Sequence, residues 1–189
     1  MAFEYDVIEE ARKLGTRLTI GAPQRWLSTR GHLDPIVQQQ APPDVLEVLD
    51  DLHGALGGNP SALARRPIHH QPTDLATATG QLIELDEVQH FTSARWDALR
   101  RYPAVYSLGF SIDYYRALIE TWKAKANAVF TRQWSPDFDF CGGRRAQRAY
   151  IDAVKDLLSP TFTGYQLVRV PVLDRDAARA ARAIVARIG

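Results

Sequence analysis

Residues 72–91, PTDLATATGQLIELDEVQHF, alternate in the manner of a β-hairpin that gathers acids at one end of a sheet. Glu84 and Asp86 are two apart, so on a strand both side chains leave the same face. With Ala78-Thr79-Gly80 as the turn, Asp74 on the first strand stands opposite Glu84. Like charges facing each other repel, and a hard divalent cation removes that penalty, because Mg²⁺ takes one or two carboxylates plus waters and phosphate oxygens. The hairpin is therefore expected to carry a metal site of Asp74, Glu84 and Asp86 for Mg²⁺ or Mn²⁺. Leu82, Ile83 and Leu85 place apolar side chains on both faces of the second strand, which predicts an interior strand of a sheet covered on both sides.

Outward from the hairpin, the chain punctuates itself clearly. Periodicity predicts helices over residues 4–14, 44–56, 93–101, 112–133 and 144–158, and a last one capped by Asp174. Strands are predicted over 81–87 and 165–172, with one or two more in 67–78. Residues 15–42, broken by Gly21, Pro23, Gly31 and Pro35, give no clear element. The organisation expected is a helical extension at 1–42 and a core at 43–189 interrupted by a helical insertion at about 93–143. The fold class is α/β (α+β): a mixed sheet of three to five strands flanked by helices. The helix over 144–158 has one apolar face, Ala146, Ala149, Tyr150, Ala153, Val154 and Leu157.

Composition narrows the setting. The single cysteine, Cys141, excludes an intrachain disulfide and fits a reducing, cytoplasmic compartment. No apolar run approaches the roughly 18 residues that a bilayer span needs, and the acidic start MAFEYDVIEE is unlike a signal peptide. The net charge of +1 divides unevenly. Residues 1–94 carry 7 lysines and arginines against 13 acids, and residues 95–189 carry 16 against 9. An acidic half with a metal site and an arginine-rich half suit a polyanion bridged by cations; solvated helix faces give the same imbalance. Arg144, Arg145 and Arg148 open one helix and are expected to grip phosphates; Arg175, Arg179 and Arg182 share a face of the last. Phe91, Trp96, Tyr102, Tyr106, Tyr114 and Tyr115 serve either as core or as base-stacking surfaces.

Taken with the element order, the spacing Pro72-x-Asp74…Glu84-x-Asp86 resembles the PD-(D/E)XK, or restriction-endonuclease-like, nuclease superfamily. The nearest likeness is to its very-short-patch-repair-like branch, in which a Glu-x-Asp strand is followed by Gln-His; here these are Glu84, Asp86, Gln89 and His90. An acidic residue in the helix before the sheet corresponds to Glu47. The strand Gly164-Tyr165-Gln166-Leu167-Val168-Arg169 echoes the branch's last strand. The resemblance implies a divalent-metal-dependent DNA endonuclease or nickase of repair, restriction or defence; a homodimer is one arrangement open to it, alongside a single site acting alone. Asp86 occupies the place of the superfamily's usual lysine. His90 is then the candidate to align or deprotonate the attacking water, with capping of the next helix as its other role.

Two other readings follow from the same residues. A catalytically inactive member of the fold would bind nucleic acid or a partner protein, and the missing lysine favours it. A transition-metal site would use His69 or His70 with the carboxylates, although adjacent strand residues face opposite ways and only one could join.

Overall fold

The computed structural model describes residues 2–188. Helix α1 (Ala2–Lys13) leads to strand β1 (Leu18–Ile20), then β2 (Gln24–Ser28), α2 (Pro35–Gln40), α3 (Pro43–Ala55) and α4 (Pro60–Ala64). The hairpin region follows as β3 (His70–Gln71), β4 (Leu75–Thr77) and β5 (Leu82–Asp86). Helices α5 (Ser93–Leu99), α6 (Ile112–Val129) and α7 (Gly143–Thr163) then lead to β6 (Val168–Pro171) and α8 (Ala177–Val185). The main sheet is mixed and four-stranded, ordered β1-β4-β5-β6, while β2 and β3 form a separate pair.

The predicted hairpin forms in the predicted register. Leu75 faces Ile83 and Ala76 faces Leu82, which continued by one residue sets Asp74 opposite Glu84. Thr77 N–H donates to the Gln81 carbonyl at 2.9 Å, closing the Ala78-Thr79-Gly80 turn. Gly80 adopts φ of 90°, a conformation that costs a side-chain-bearing residue energy and suits glycine. β5 is antiparallel to β4 and parallel to β6. A parallel neighbour requires a long crossover, and α7 closes that crossover.

β5 is buried along its whole length. Ile83 and Leu85 join Leu75, Val168 and Val170 in a cluster covered by Phe3, Val7 and Ala11 of α1 and by Ala180, Ala181 and Ile184 of α8. Each such side chain contributes about 1.5–3 kcal/mol on burial. Leu82, on the other face, joins the second cluster with Ala146, Ala149, Tyr150, Ala153, Val154 and Leu157, the predicted apolar face of α7. Glu84 and Asp86 share that α7 face of the sheet.

Several boundaries differ from expectation for physical reasons. Residues 1–42 are no appendage. β1 forms the edge of the main sheet, pairing Leu18, Thr19 and Ile20 with Thr77, Ala76 and Leu75, and α1 covers the sheet. α7 runs on through Pro160 to Thr163, ending where Gly164 turns left-handed. Tyr165 N–H is spent on Thr163 Oγ1, so β6 starts only at Val168. The last helix is capped by Asp176, whose carboxylate accepts from Arg179 N–H at 2.9 Å, and not by Asp174.

On the α7 face of the core, His53 of α3 is wholly buried between the rings of Phe138 and Tyr150, with centroids at 4.9 and 4.8 Å. Neither of its ring nitrogens has a hydrogen-bond partner among the described residues. Gly58 lies so close that a Cβ there would meet the imidazole at 2.3 Å. His32 beside it is better served, with Nδ1 2.5 Å from Tyr150 Oη and Nε2 3.3 Å from Asp50 Oδ1.

Candidate functional site

The acidic end of the hairpin opens into a cavity of about 410 Å³. Asp74 and Glu84 line it from the sheet. Arg144, Gln147, Arg148, Ile151, Asp152 and Lys155 line it from α7, at the spacing of one helical face. Arg66, Glu87, His90 and Arg175 also line it.

Asp74 is fixed by its own hairpin, because its Oδ2 accepts from Leu85 N–H at 2.7 Å. Burial and the neighbouring Glu84 push its carboxyl up to about 6. Glu84 is only 3% exposed. Lys155 Nζ lies 2.8 Å from its Oε1, but off the line that a hydrogen bond needs, so that buried oxygen has charge contact and no hydrogen-bond donor. Two adjacent carboxylates, one with an unfilled acceptor, could hold a hard cation together with waters. Among the described residues no three histidine, cysteine or acidic side chains converge at ligating geometry.

Asp86 does not join the pair. It shares the face of Glu84, as alternation requires, but it is wholly buried under α7 and absent from the cavity wall. Its Oδ1 receives Arg169 Nη1 at 2.7 Å, and its Oδ2 accepts from Tyr115 Oη–H. The reason lies in the β5–β6 register, which sets Glu84 opposite Arg169 on a neighbouring strand that the hairpin sequence does not contain. Arg169 also donates to Asp156 Oδ1 at 2.6 Å and Asp152 Oδ1 at 3.0 Å. Arg95 and Tyr102 share Asp156 Oδ2 at 2.6 and 2.8 Å. Burial works against the charge on Asp86, yet Arg169 and His90 hold its carboxyl below the ordinary range; Asp152 is held well below it in the same way.

His90 bridges this buried network and the cavity. Its Nδ1 lies 3.0 Å from Asp152 Oδ2 and 3.2 Å from Asp86 Oδ1, so Nδ1 carries the proton. Its Nε2 accepts from Arg148 Nη2 at 2.7 Å. That nitrogen is occupied by the guanidinium, so in this structure His90 supports Arg148. Helix capping is no alternative, since Thr92 caps α5. Gln89 Oε1 accepts from Arg148 Nη1 at 3.2 Å, adding a second support outside the cavity wall.

The remaining expectations divide. Arg144 and Arg148 reach the cavity and Arg145 does not. Arg144 donates to Gln147 Oε1, while Gln147 Nε2 and Arg66 Nη1 each donate to the buried Asp137 Oδ1 at 2.9 Å. Neither Arg144 nor Arg148 has a carboxylate partner among the described residues. Burial and the like charges of Arg148 and Arg66 lower the Arg144 pKa, so this wall of the cavity is cationic. Glu47 is exposed on α3, away from the cavity. His69 and His70 are exposed and outside it too, so the histidine-containing metal cluster does not form. Of the aromatic group, Phe91, Tyr102 and Tyr115 are core. Lys155 is the residue that sequence reasoning missed. Its signal was its place seven residues after Arg148 and eleven after Arg144, on one helical stripe.

Residues 51–187 match the family of unknown function DUF7255. The chain belongs to that family. The matched span holds every cavity residue named here, from Arg66 to Arg175, so the DUF7255 region carries both the acidic pair and the cationic wall. No curated protein and no solved structure matches the chain. Among the described residues, no helix is long and apolar enough to cross a membrane.

Proposed function

We propose that this chain is a divalent-metal-dependent nuclease of restriction-endonuclease-like architecture that hydrolyses phosphodiester bonds in DNA. The observation that carries the proposal is the meeting of Asp74, Glu84 and Lys155 at one sheet end, in a cavity whose facing wall is arginine-rich. Support comes also from the mixed four-stranded sheet, in which β1, β4 and β5 are antiparallel neighbours and β6, reached from β5 through α5, α6 and α7, lies parallel to β5.

Asp74 and Glu84 would hold Mg²⁺ or Mn²⁺. Bound there, the ion supplies a water of lowered pKa and positive charge beside the scissile phosphate. Lys155 takes the part of the lysine absent at position 86. From α7 its ammonium reaches Glu84 and can donate to an attacking water or to a phosphate oxygen at the same point. Arg148, braced by His90 and Gln89, and Arg144 neutralise the phosphate charge and fix the strand. Asp86 has no place among the ligands, since both of its oxygens are committed to Arg169 and Tyr115. The absent lysine was the main reason to favour an inactive member of the fold, and Lys155 removes that reason.

The test is incubation of the purified protein with supercoiled plasmid and with end-labelled single strands, in Mg²⁺, in Mn²⁺ and in EDTA. Nicked, linear or shortened products that depend on metal and vanish in Glu84→Gln are expected. Folded protein that leaves every substrate intact in both metals would refute the reading.

A further inference from the structure

Trp134 stands apart from the other tryptophans. Trp26 is buried, and Trp96 and Trp122 are half-buried, each with a cation over its ring (Arg116 and Lys125). Trp134 is 61% exposed and has no ring partner or cation over it among the described residues. Its neighbours are nevertheless pinned. Gln133 N–H donates to Phe130 O at 3.0 Å, and the Gln133 carbonyl accepts from Arg144 N–H at 3.3 Å. On the other side Ser135 Oγ–H donates to Asp137 Oδ1 at 2.7 Å, the same oxygen that holds Arg66 and Gln147. Phe138, three residues further, is wholly buried.

An anchored loop thus carries an exposed indole between two residues that are tied to the cavity wall, Gln133 to the Arg144 backbone and Ser135, through Asp137, to Arg66 and Gln147. Leaving so large an apolar ring in water is unfavourable, and a tryptophan held in a loop bonded to Arg144, whose guanidinium has no carboxylate partner among the described residues, matches a nucleotide with its base free. Bases within a duplex are already stacked and cannot use such a platform.

We infer that Trp134 is a base-stacking residue and that the cavity takes an unpaired, single-stranded segment of nucleic acid, with a phosphate on Arg144 and Arg148 and the neighbouring base on the Trp134 ring. This rests on the nuclease reading for what happens to the strand, but not for the binding.

Binding is measured on the full chain in EDTA, where cleavage is silent. The probes are a fluorescein-labelled thymidine 12-mer and a labelled blunt hairpin duplex of equal length, followed by anisotropy, with unlabelled thymidine 12-mer for tryptophan quenching. Wild type should bind the single strand with quenching. Trp134→Ala should lose the quenching and roughly tenfold or more in single-strand affinity, with little change toward the hairpin. Trp134→Phe should recover part of the loss. Because the side chain lies outside the core, the variants keep their fold. Unchanged single-strand affinity in Trp134→Ala, or equal losses for the two probes, would overturn the inference. Trp134-dependent binding without metal-dependent cleavage would leave it standing and sink the nuclease reading; cleavage of duplex unaffected by Trp134→Ala, with no single-strand preference, would do the reverse.

Discussion

Replacing His53 by leucine should flatten the acid side of the stability profile. His53 is held neutral: burial first, then the neighbouring His32, lower its pKa from the ordinary 6.5 to about 4, and Asp137 and Asp50 offset only part of this. The folded-state pKa lies below the unfolded one. Above pH 6.5 both states are neutral and nothing is lost; between 6.5 and 4 the unfolded chain takes up a proton that the folded chain refuses. Stability therefore falls as pH drops through that window, by about 3 kcal/mol between pH 7.5 and 4 at 1.36 kcal/mol per unit. Leucine is of similar size, carries no proton and removes two buried nitrogens that lack partners.

Asp74 works in the opposite sense, and the comparison has to allow for it. Its carboxyl is raised from 3.8 to about 6, so its contribution is complete below pH 3.8 and is lost as pH rises through 6. Over this range the two groups oppose each other in the wild type. The difference between His53→Leu and wild type cancels Asp74 and isolates His53. Thermal unfolding in half-unit pH steps, in EDTA to keep cations from Asp74 and Glu84, should show the variant gaining on wild type as pH falls. At roughly 2–4 °C per kcal/mol for a chain of this size, the gain reaches about 6–12 °C by pH 4. A melting difference that stays constant with pH would refute the placement of a neutral, unpartnered imidazole at this site.

Two further outcomes follow from the charges around the cavity. Lys155→Met should abolish cleavage yet keep the rise in melting temperature that Mn²⁺ gives the folded protein, whereas Glu84→Gln should lose both; a cation at a hundred times its Kd stabilises by about 2.7 kcal/mol, which thermal unfolding resolves easily. Arg169→Met should cost at least about 3–5 kcal/mol in urea unfolding, because Asp156 keeps Arg95 while the buried Asp86 and Asp152 keep only His90; a loss below 1 kcal/mol would show that the network is not charged as drawn.

The hairpin was legible because all that it needs is local. A period of two sets its faces, Gly80 sets its turn, and the turn sets Asp74 against Glu84. The α7 helix was legible for the same reason, from its apolar stripe. What escaped depends on neighbours distant in the chain. β1 has three residues between glycine- and proline-broken segments, and it becomes a strand only because β4 lies beside it. The fate of Asp86 is decided by Arg169, 83 residues away. His90 follows Asp86 by four residues, which suggested a base at the site, but Asp152 on α7 and Arg148 one turn earlier claim both of its nitrogens.

The position of Lys155 then follows from that buried network. α7 and the sheet trap charge at two depths. The outer layer is Asp74, Glu84 and Lys155, open to the cavity. The inner layer is Asp86, Asp152 and Asp156 against Arg169 and Arg95, with His90 passing the remaining negative charge to Arg148. Buried charges persist only when they are matched. A lysine at position 86 would face Arg169 directly and would turn three acids against two guanidinium groups into two acids against three cations. With Arg169 on β6, the strand can offer an acid at 86 and nothing basic, so an ammonium group for Glu84 has to arrive from the opposite layer. α7 supplies it one turn beyond Asp152 on the stripe that carries Arg144 and Arg148, and the same helix thereby sets the distance between the acidic pair and the arginine-bearing wall.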